Sequence, residues 1–128
     1  MKYCFLIFAI IGGYTHAGEI EACYAITGGA AWVRSCVQSL AIEEKRHYET
    51  VFSEFLKNEH RQPESLNNPK EFLHAIKVAK KAWDTVTEAD CKAEGLRNIK
   101  DSFADHTDKN DCLYHAYRRR IQYYQDYD

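Results

Sequence analysis

Residues 79–91 read AKKAWDTVTEADC, and this stretch decides the fold because it joins a helical segment bearing a large aromatic to a cysteine. Extended upstream, its apolar positions fall at Phe72, Leu73, Ile76, Ala79, Trp83 and Val86, the three-and-four spacing of a single helix face. Trp83 is the expected core anchor of that face, while Lys77, Lys80, Lys81 and Asp84 point mainly to water. Asn68-Pro69-Lys70-Glu71 reads as the start of this helix, with Asn as cap, Pro in the first turn and an acid in the third position. Gly95 is the expected stop.

Upstream, the positions Val33, Val37, Leu40, Tyr48, Val51 and Phe55 repeat at helical spacing, widened by Trp32, Phe52 and Leu56. No glycine or proline falls between Ala30 and Pro63, so one long helix is predicted over about 30–59. The polar connection 60–68, HRQPESLNN, is short enough to make the two long helices antiparallel neighbours. A shorter helical segment over 19–27 precedes them and stops at Gly28-Gly29, whose backbone freedom lets the chain reverse. Downstream, residues 96–110 are polar and acidic and read as a connection. A last helix follows from Asn110 or Asp111, carrying Leu113, Ala116, Tyr117, Ile121 and Tyr124. Nothing alternates with strand period. The expected fold is all-α, an antiparallel helical hairpin plus a C-terminal helix.

The first residues set the address. One Lys precedes a nearly continuous apolar run from Tyr3 to Ile11, followed by Gly12-Gly13 and the small-residue exit Thr15-His16-Ala17, the pattern of a secretory signal cleaved after Ala17. That run is well short of the ~18 apolar residues of a spanning helix. The expected division is therefore a signal at 1–17 and one domain at 18–128, periplasmic or secreted, with no membrane span in the mature chain. Loss of 1–17 removes Lys2 and no acid, leaving 16 Lys and Arg against 19 Asp and Glu, a formal charge of −3. This lacks the basic excess of a nucleic-acid binder.

Cys23, Cys36, Cys91 and Cys112 remain, an even set in an oxidising compartment, which predicts two disulfides out of three possible pairings. Cys23–Cys36 and Cys91–Cys112 are the expected pairs because each flanks a helix breaker. On one straight helix, thirteen positions would separate Cys23 from Cys36 by about 20 Å, so the Gly28-Gly29 turn is what brings them together. Zinc is the rival, but no C-x-x-C spacing occurs.

Two Glu-x-x-His spacings, Glu44/His47 and Glu71/His74, place carboxylate and imidazole on one helix face, as di-metal bundles do. In the predicted hairpin they lie about 10–15 Å apart along the axis, so they form no common site, and no metal or other cofactor is expected. Asp101, Asp105, His106 and Asp108 read as a solvated acidic loop. No nucleophile elbow, zinc-protease helix or phosphate loop is present, which argues against an enzyme. Tyr114, Arg118, Arg119 and Tyr123, with His106 on the approach, are the expected partner-binding residues. Tyrosine and arginine combine apolar area with polar reach, and the last helix holds more of them than one core stripe absorbs. The polar connection 60–68 is the second choice.

The spacing Ala79, Ala82-Trp83, Ala89, Cys91 resembles the "aQ-x-aW … R-x-A-x-C" signature of the LprI-type lysozyme-inhibitor domain, a family of small exported four-cysteine helical proteins. Cys112-Leu113 followed by Arg120 is similar to its closing segment, and the likeness spans nearly all of 18–128. The family usually has Leu-Asn where this chain has Tyr48-Glu49, Gln at Lys80 and Arg at Thr87. The cysteines and tryptophan thus carry the fold, while the polar positions differ. The resemblance implies an envelope binding protein that occludes a lysozyme-type cell-wall hydrolase, itself dependent on paired carboxylates in a cleft. An immunity protein against an envelope-targeting toxin and a structural or assembly protein of the envelope are the alternatives.

Overall fold

A computed structural model describes residues 17–25, 27–61 and 63–127; the predicted signal lies outside them, apart from Ala17. The described residues form four helices, α1 (Ala17–Ala25), α2 (Ala30–Arg61), α3 (Pro69–Gly95) and α4 (Phe103–Gln125), with a 3₁₀ turn at Pro63–Ser65 and no strand among them. The fold is all-α, and the two disulfides are Cys23–Cys36 and Cys91–Cys112. Each bridge contributes on the order of 3 kcal/mol. No helix among the described residues is long and apolar enough to cross a membrane.

Contacts between α2 and α3 run in opposite directions along the two helices, as in a hairpin: Lys45 meets Glu88, Tyr48 meets Asp84 and Glu49 meets Lys80. Yet the hairpin is splayed, and α4 makes the larger contacts with both of its arms. It runs parallel to α2, with Tyr117 beside Tyr48 and Tyr127 beside Phe55, and antiparallel to α3, with Cys112 on Cys91 and Tyr127 on Phe72. The core is consequently aromatic: Tyr48, Phe52, Phe55, Tyr117 and Tyr124 with Val51, Ile76 and Ile121. Offset and tilted ring pairs of this kind add ~0.5–1.5 kcal/mol each beyond the area they bury. A smaller cluster of Ile20, Cys23, Val37, Ala41 and Tyr114 seats α1. Gly29, at φ 80°, makes the turn that returns α2 along α1, as the glycine pair predicts.

Two local expectations are corrected, and a third, the stop at Gly95, holds by a different mechanism. Asn68 stands at the N-cap of α3, but its side chain makes no capping bond. Gly95 does end α3, yet not through a left-handed cap, since Leu96 at the C-cap is right-handed. A Cβ on Gly95 would lie 2.6 Å from the Asp105 carbonyl oxygen, so the glycine is there to let α4 approach. The last helix starts at Phe103, seven residues before Asn110, because Ser102 caps it by accepting from the Asp105 amide at 3.1 Å. The Asp105 carboxylate in turn accepts from the Asp101 amide at 2.7 Å. That exchange of side-chain and backbone bonds fixes a helix start. Asp101 itself takes φ 62°, a conformation aspartate tolerates better than most residues.

Gly95→Ala is expected to cost about 1–3 kcal/mol, the range for overpacking a close contact, read as a lower urea midpoint with helix content retained. A second expectation concerns alkaline pH. Burial is the first cause raising the phenols of Tyr24, Tyr48, Tyr114, Tyr117, Tyr124 and Tyr127 above their ordinary value. The native state therefore keeps these protons longer than the unfolded chain. Their contribution to stability is complete below the unfolded value, ~10, and is lost as pH rises through the folded values. Tyrosinate absorbance from the buried Tyr48, Tyr117 and Tyr124 should emerge together with loss of helical signal; full titration of these three with the helices intact would contradict the packing.

Candidate functional site: the groove between α3 and α4

The buried face of α3 differs from its predicted stripe. Leu73, Ile76, Thr87 and Cys91 are buried, whereas Ala79 is exposed and Val86 is 58 % exposed. Cys91 sets the phase through its disulfide. Counting back from it at helical spacing gives Thr87, then Trp83 and Asp84, then Lys80 and Ile76. Two polar residues on that face, Thr87 and Lys80, concealed it from a reading by apolar spacing.

Lys80 does not point to water. Its side chain is 13 % exposed and pairs with Asp84 Oδ2 at 2.8 Å and Glu49 at 2.9 Å, while the ammonium stands 4.7 Å from the Tyr48 ring centre and 5.3 Å from that of Phe52. Tyr48 completes the cluster by donating its hydroxyl to Asp84 Oδ1 at 2.7 Å. Burial alone would lower the Lys80 pKa; the bonds to Asp84 and Glu49 outweigh it and hold the ammonium above its ordinary value. Tyr48, Glu49, Lys80 and Asp84 thus form one polar clamp between α2 and α3.

On the other side of Trp83, α3 and α4 enclose a groove of about 380 Å³. Trp83, Val86 and Asp90 come from α3, Arg119, Arg120 and Tyr123 from α4, and Thr87, Ala116 and the Cys91–Cys112 bridge also line it. Trp83 is half-buried: one part packs on Tyr48 and Tyr117 and another borders the groove. It is a core residue with an open edge, not the enclosed anchor expected. Arg120 lies over three rings, with Cζ 5.4 Å from the Trp83 centroid, 4.2 Å from Tyr123 and 5.0 Å from Tyr124.

Of the expected partner-binding residues, the fold brings Arg119 and Tyr123 together, both exposed on this groove. Tyr114 is withdrawn, 1 % exposed, within the small cluster under α1; its helix phase puts it on the α1–α2 side. Arg118 is tied to it, donating Nη1 to the Tyr114 hydroxyl at 2.7 Å. His106 is half-buried near the start of α4, its carbonyl accepting from Asn110, on the order of 25 Å along the helix from Tyr123. The acidic stretch around it is built in: Asp105 is buried, and Asp108 accepts from Asn98 at 2.7 Å. Val86, Asp90 and Arg120 belong to the groove and were not expected there. The only sequence signal for them was the phase set by Cys91 and Cys112.

Glu44 and His47 touch at 3.5 Å as neighbours on α2, and among the described residues no three His, Cys, Asp or Glu side chains gather as a metal site. No family model, curated protein or solved structure matches this chain.

Replacing Asp84 by Ala would leave the buried Tyr48 hydroxyl without its acceptor and Lys80 with one carboxylate. It should cost about 1–3 kcal/mol by urea unfolding, the range for a stranded buried donor. Glu49→Ala, removing an exposed partner, should cost at most ~1 kcal/mol.

Proposed function

We propose that this chain is an exported envelope binding protein of LprI-like type, acting without catalysis by occluding a cell-wall hydrolase, in the periplasm or outside the cell. The observation that carries the reading is the groove between α3 and α4, where the exposed Arg119 and Tyr123 stand beside the open edge of the half-buried Trp83 on a bundle stapled by two disulfides. Disulfides belong to oxidising compartments, which supports export. Aromatic and arginine side chains at a rigid concavity are the residue types that dominate binding energy at protein interfaces. The Cys91–Cys112 bridge fixes the two walls relative to each other, so little ordering cost is left for the binding step.

Occlusion of a lysozyme-type hydrolase requires only that the bundle cover the cleft in which the enzyme's paired carboxylates work. A small rigid body seated on the cleft edge by its own groove does this sterically. The partner surface that complements the groove is anionic, since the groove offers two arginines against one aspartate.

The test is inhibition of a c-type lysozyme on a bacterial cell-wall suspension, with capture of the same enzyme on immobilised oxidised protein. Inhibition should be stoichiometric and saturable. Arg119→Ala with Tyr123→Ala should weaken capture at least about tenfold, which needs only ~1.4 kcal/mol, while leaving the melting temperature close to that of the parent, because both side chains are exposed. Arg118 is excluded from this variant because it holds Tyr114. Absence of inhibition and of capture at micromolar concentrations would overturn the hydrolase reading.

A further inference from the structure

Arg120 is placed unlike the other half-buried cation of the core. Lys80 has two carboxylates, whereas Arg120 has rings on three sides and no ion-pair partner among the described residues. Its Nε is buried without a hydrogen-bond partner. This occurs in a chain with 19 acids to 17 Lys and Arg, so a carboxylate was not lacking for want of supply. Ring faces attract a guanidinium, and the Tyr124 hydroxyl beside it engages at most one of its five donors, so the fork holds no carboxylate. Arg119, next in the chain and exposed on the same groove, also has no ionic partner among the described residues. The second arginine with a buried, unpartnered Nε, Arg34, lies over Phe103 and lines no part of this groove.

We propose that the α3–α4 groove receives one acidic side chain, Asp or Glu, projecting from a protein partner, with Arg120 and Arg119 holding the carboxylate and Trp83, Val86 and Tyr123 covering the apolar part of the projecting segment. This deepens the binding-protein reading, on which it rests, but does not depend on the partner being a hydrolase. Three features select this occupant. A guanidinium fork matches a carboxylate with two parallel bonds. A space of about 380 Å³ lies at the small end of ligand pockets and admits one or two side chains, not a helix or strand. Asp90 on the same groove repels a second negative charge, which disfavours a phosphate relative to a singly charged carboxylate. Because the site is concave, the partner supplies the projection and this chain supplies the socket.

The experiment uses the oxidised full chain labelled with ¹⁵N, observed by NMR at the indole N–H of Trp83 and the arginine Nε–H groups; a Trp32→Phe variant assigns the indole. The probes are the blocked tripeptide acetyl-Leu-Glu-Leu-amide, its Gln analogue, and inorganic phosphate. The Glu peptide should shift the Trp83 and Arg120 signals saturably, and the Gln analogue should bind at least about tenfold more weakly, as loss of a charge-assisted pair requires. Phosphate should leave both signals in place. Arg119→Gln, an exposed change, should weaken the Glu peptide severalfold with unchanged melting. Arg120→Lys, which keeps the charge and loses the fork, should weaken it further; if that variant melts early, the Glu/Gln comparison and Arg119→Gln decide. Equal response to Glu and Gln peptides, an equal response to phosphate, or an unmoved Trp83 would overturn the proposal. A Glu-selective response without lysozyme inhibition removes the hydrolase and keeps the socket; inhibition without a peptide response does the reverse.

Discussion

Tyr48 is wholly withdrawn from water and touches each of the three long helices. Its ring lies 5.3 Å from that of Trp83 on α3 and 5.4 Å from that of Tyr117 on α4, with Tyr124 at 6.3 Å. A buried phenol must place its hydroxyl, and that of Tyr48 donates to Asp84 at 2.7 Å. Asp84 then needs a cation, and Lys80 needs a surface to lie along, which the faces of Tyr48 and Phe52 provide. One aromatic thus joins the Cys91–Cys112 bridge in fixing the rotation of α3 about its own axis, and with it which edge of Trp83 is covered and which is left open.

The dependence extends to the groove. If α3 presented the stripe Ile76, Ala79, Trp83, Val86 to the core, Val86 would be buried and the socket closed. The polar clamp and the Cys91–Cys112 bridge hold the other phase, so Val86 and one edge of Trp83 face outward beside Arg119 and Tyr123. Burial of a paired lysine yields less than burial of a well-packed apolar residue; here it sets orientation, and orientation is what leaves a surface for binding.

How much of this could be read from the chain depended on whether the cause was local. Gly28-Gly29, Pro69 and the uninterrupted run after Ala30 mark helix ends within a few residues, because backbone freedom and ring geometry act where they stand. The cysteine pairs were legible for the same reason, each spanning one turn in the path. The start of α4 was missed although it too is local: Ser102 and Asp105 cap it, but three aspartates nearby give the segment the look of a solvated loop. The phase of α3 was hidden by Lys80 and Thr87, whose burial is decided by residues on other helices. The groove is written along the chain only in the phase that Cys91 and Cys112 set, since Trp83 and Arg120 meet only when α4 has docked. Tyr114 illustrates the converse. A tyrosine near arginines suggested a surface, and its position opposite Val37 put it in the core.

The attachment of α1 has a dynamic consequence. This nine-residue helix is held by Ile20 and Cys23 in a small cluster, by the bridge to Cys36, and by the bond from Tyr24 to Asp111 on α4. None of the aromatic core depends on it. Its few ties, outside the aromatic core, are those of the elements that native-state hydrogen exchange finds least protected. With Cys23–Cys36 reduced, each opening would release α1 and wet Tyr114 and Val37, while the amides beneath Tyr48 would exchange only through global unfolding.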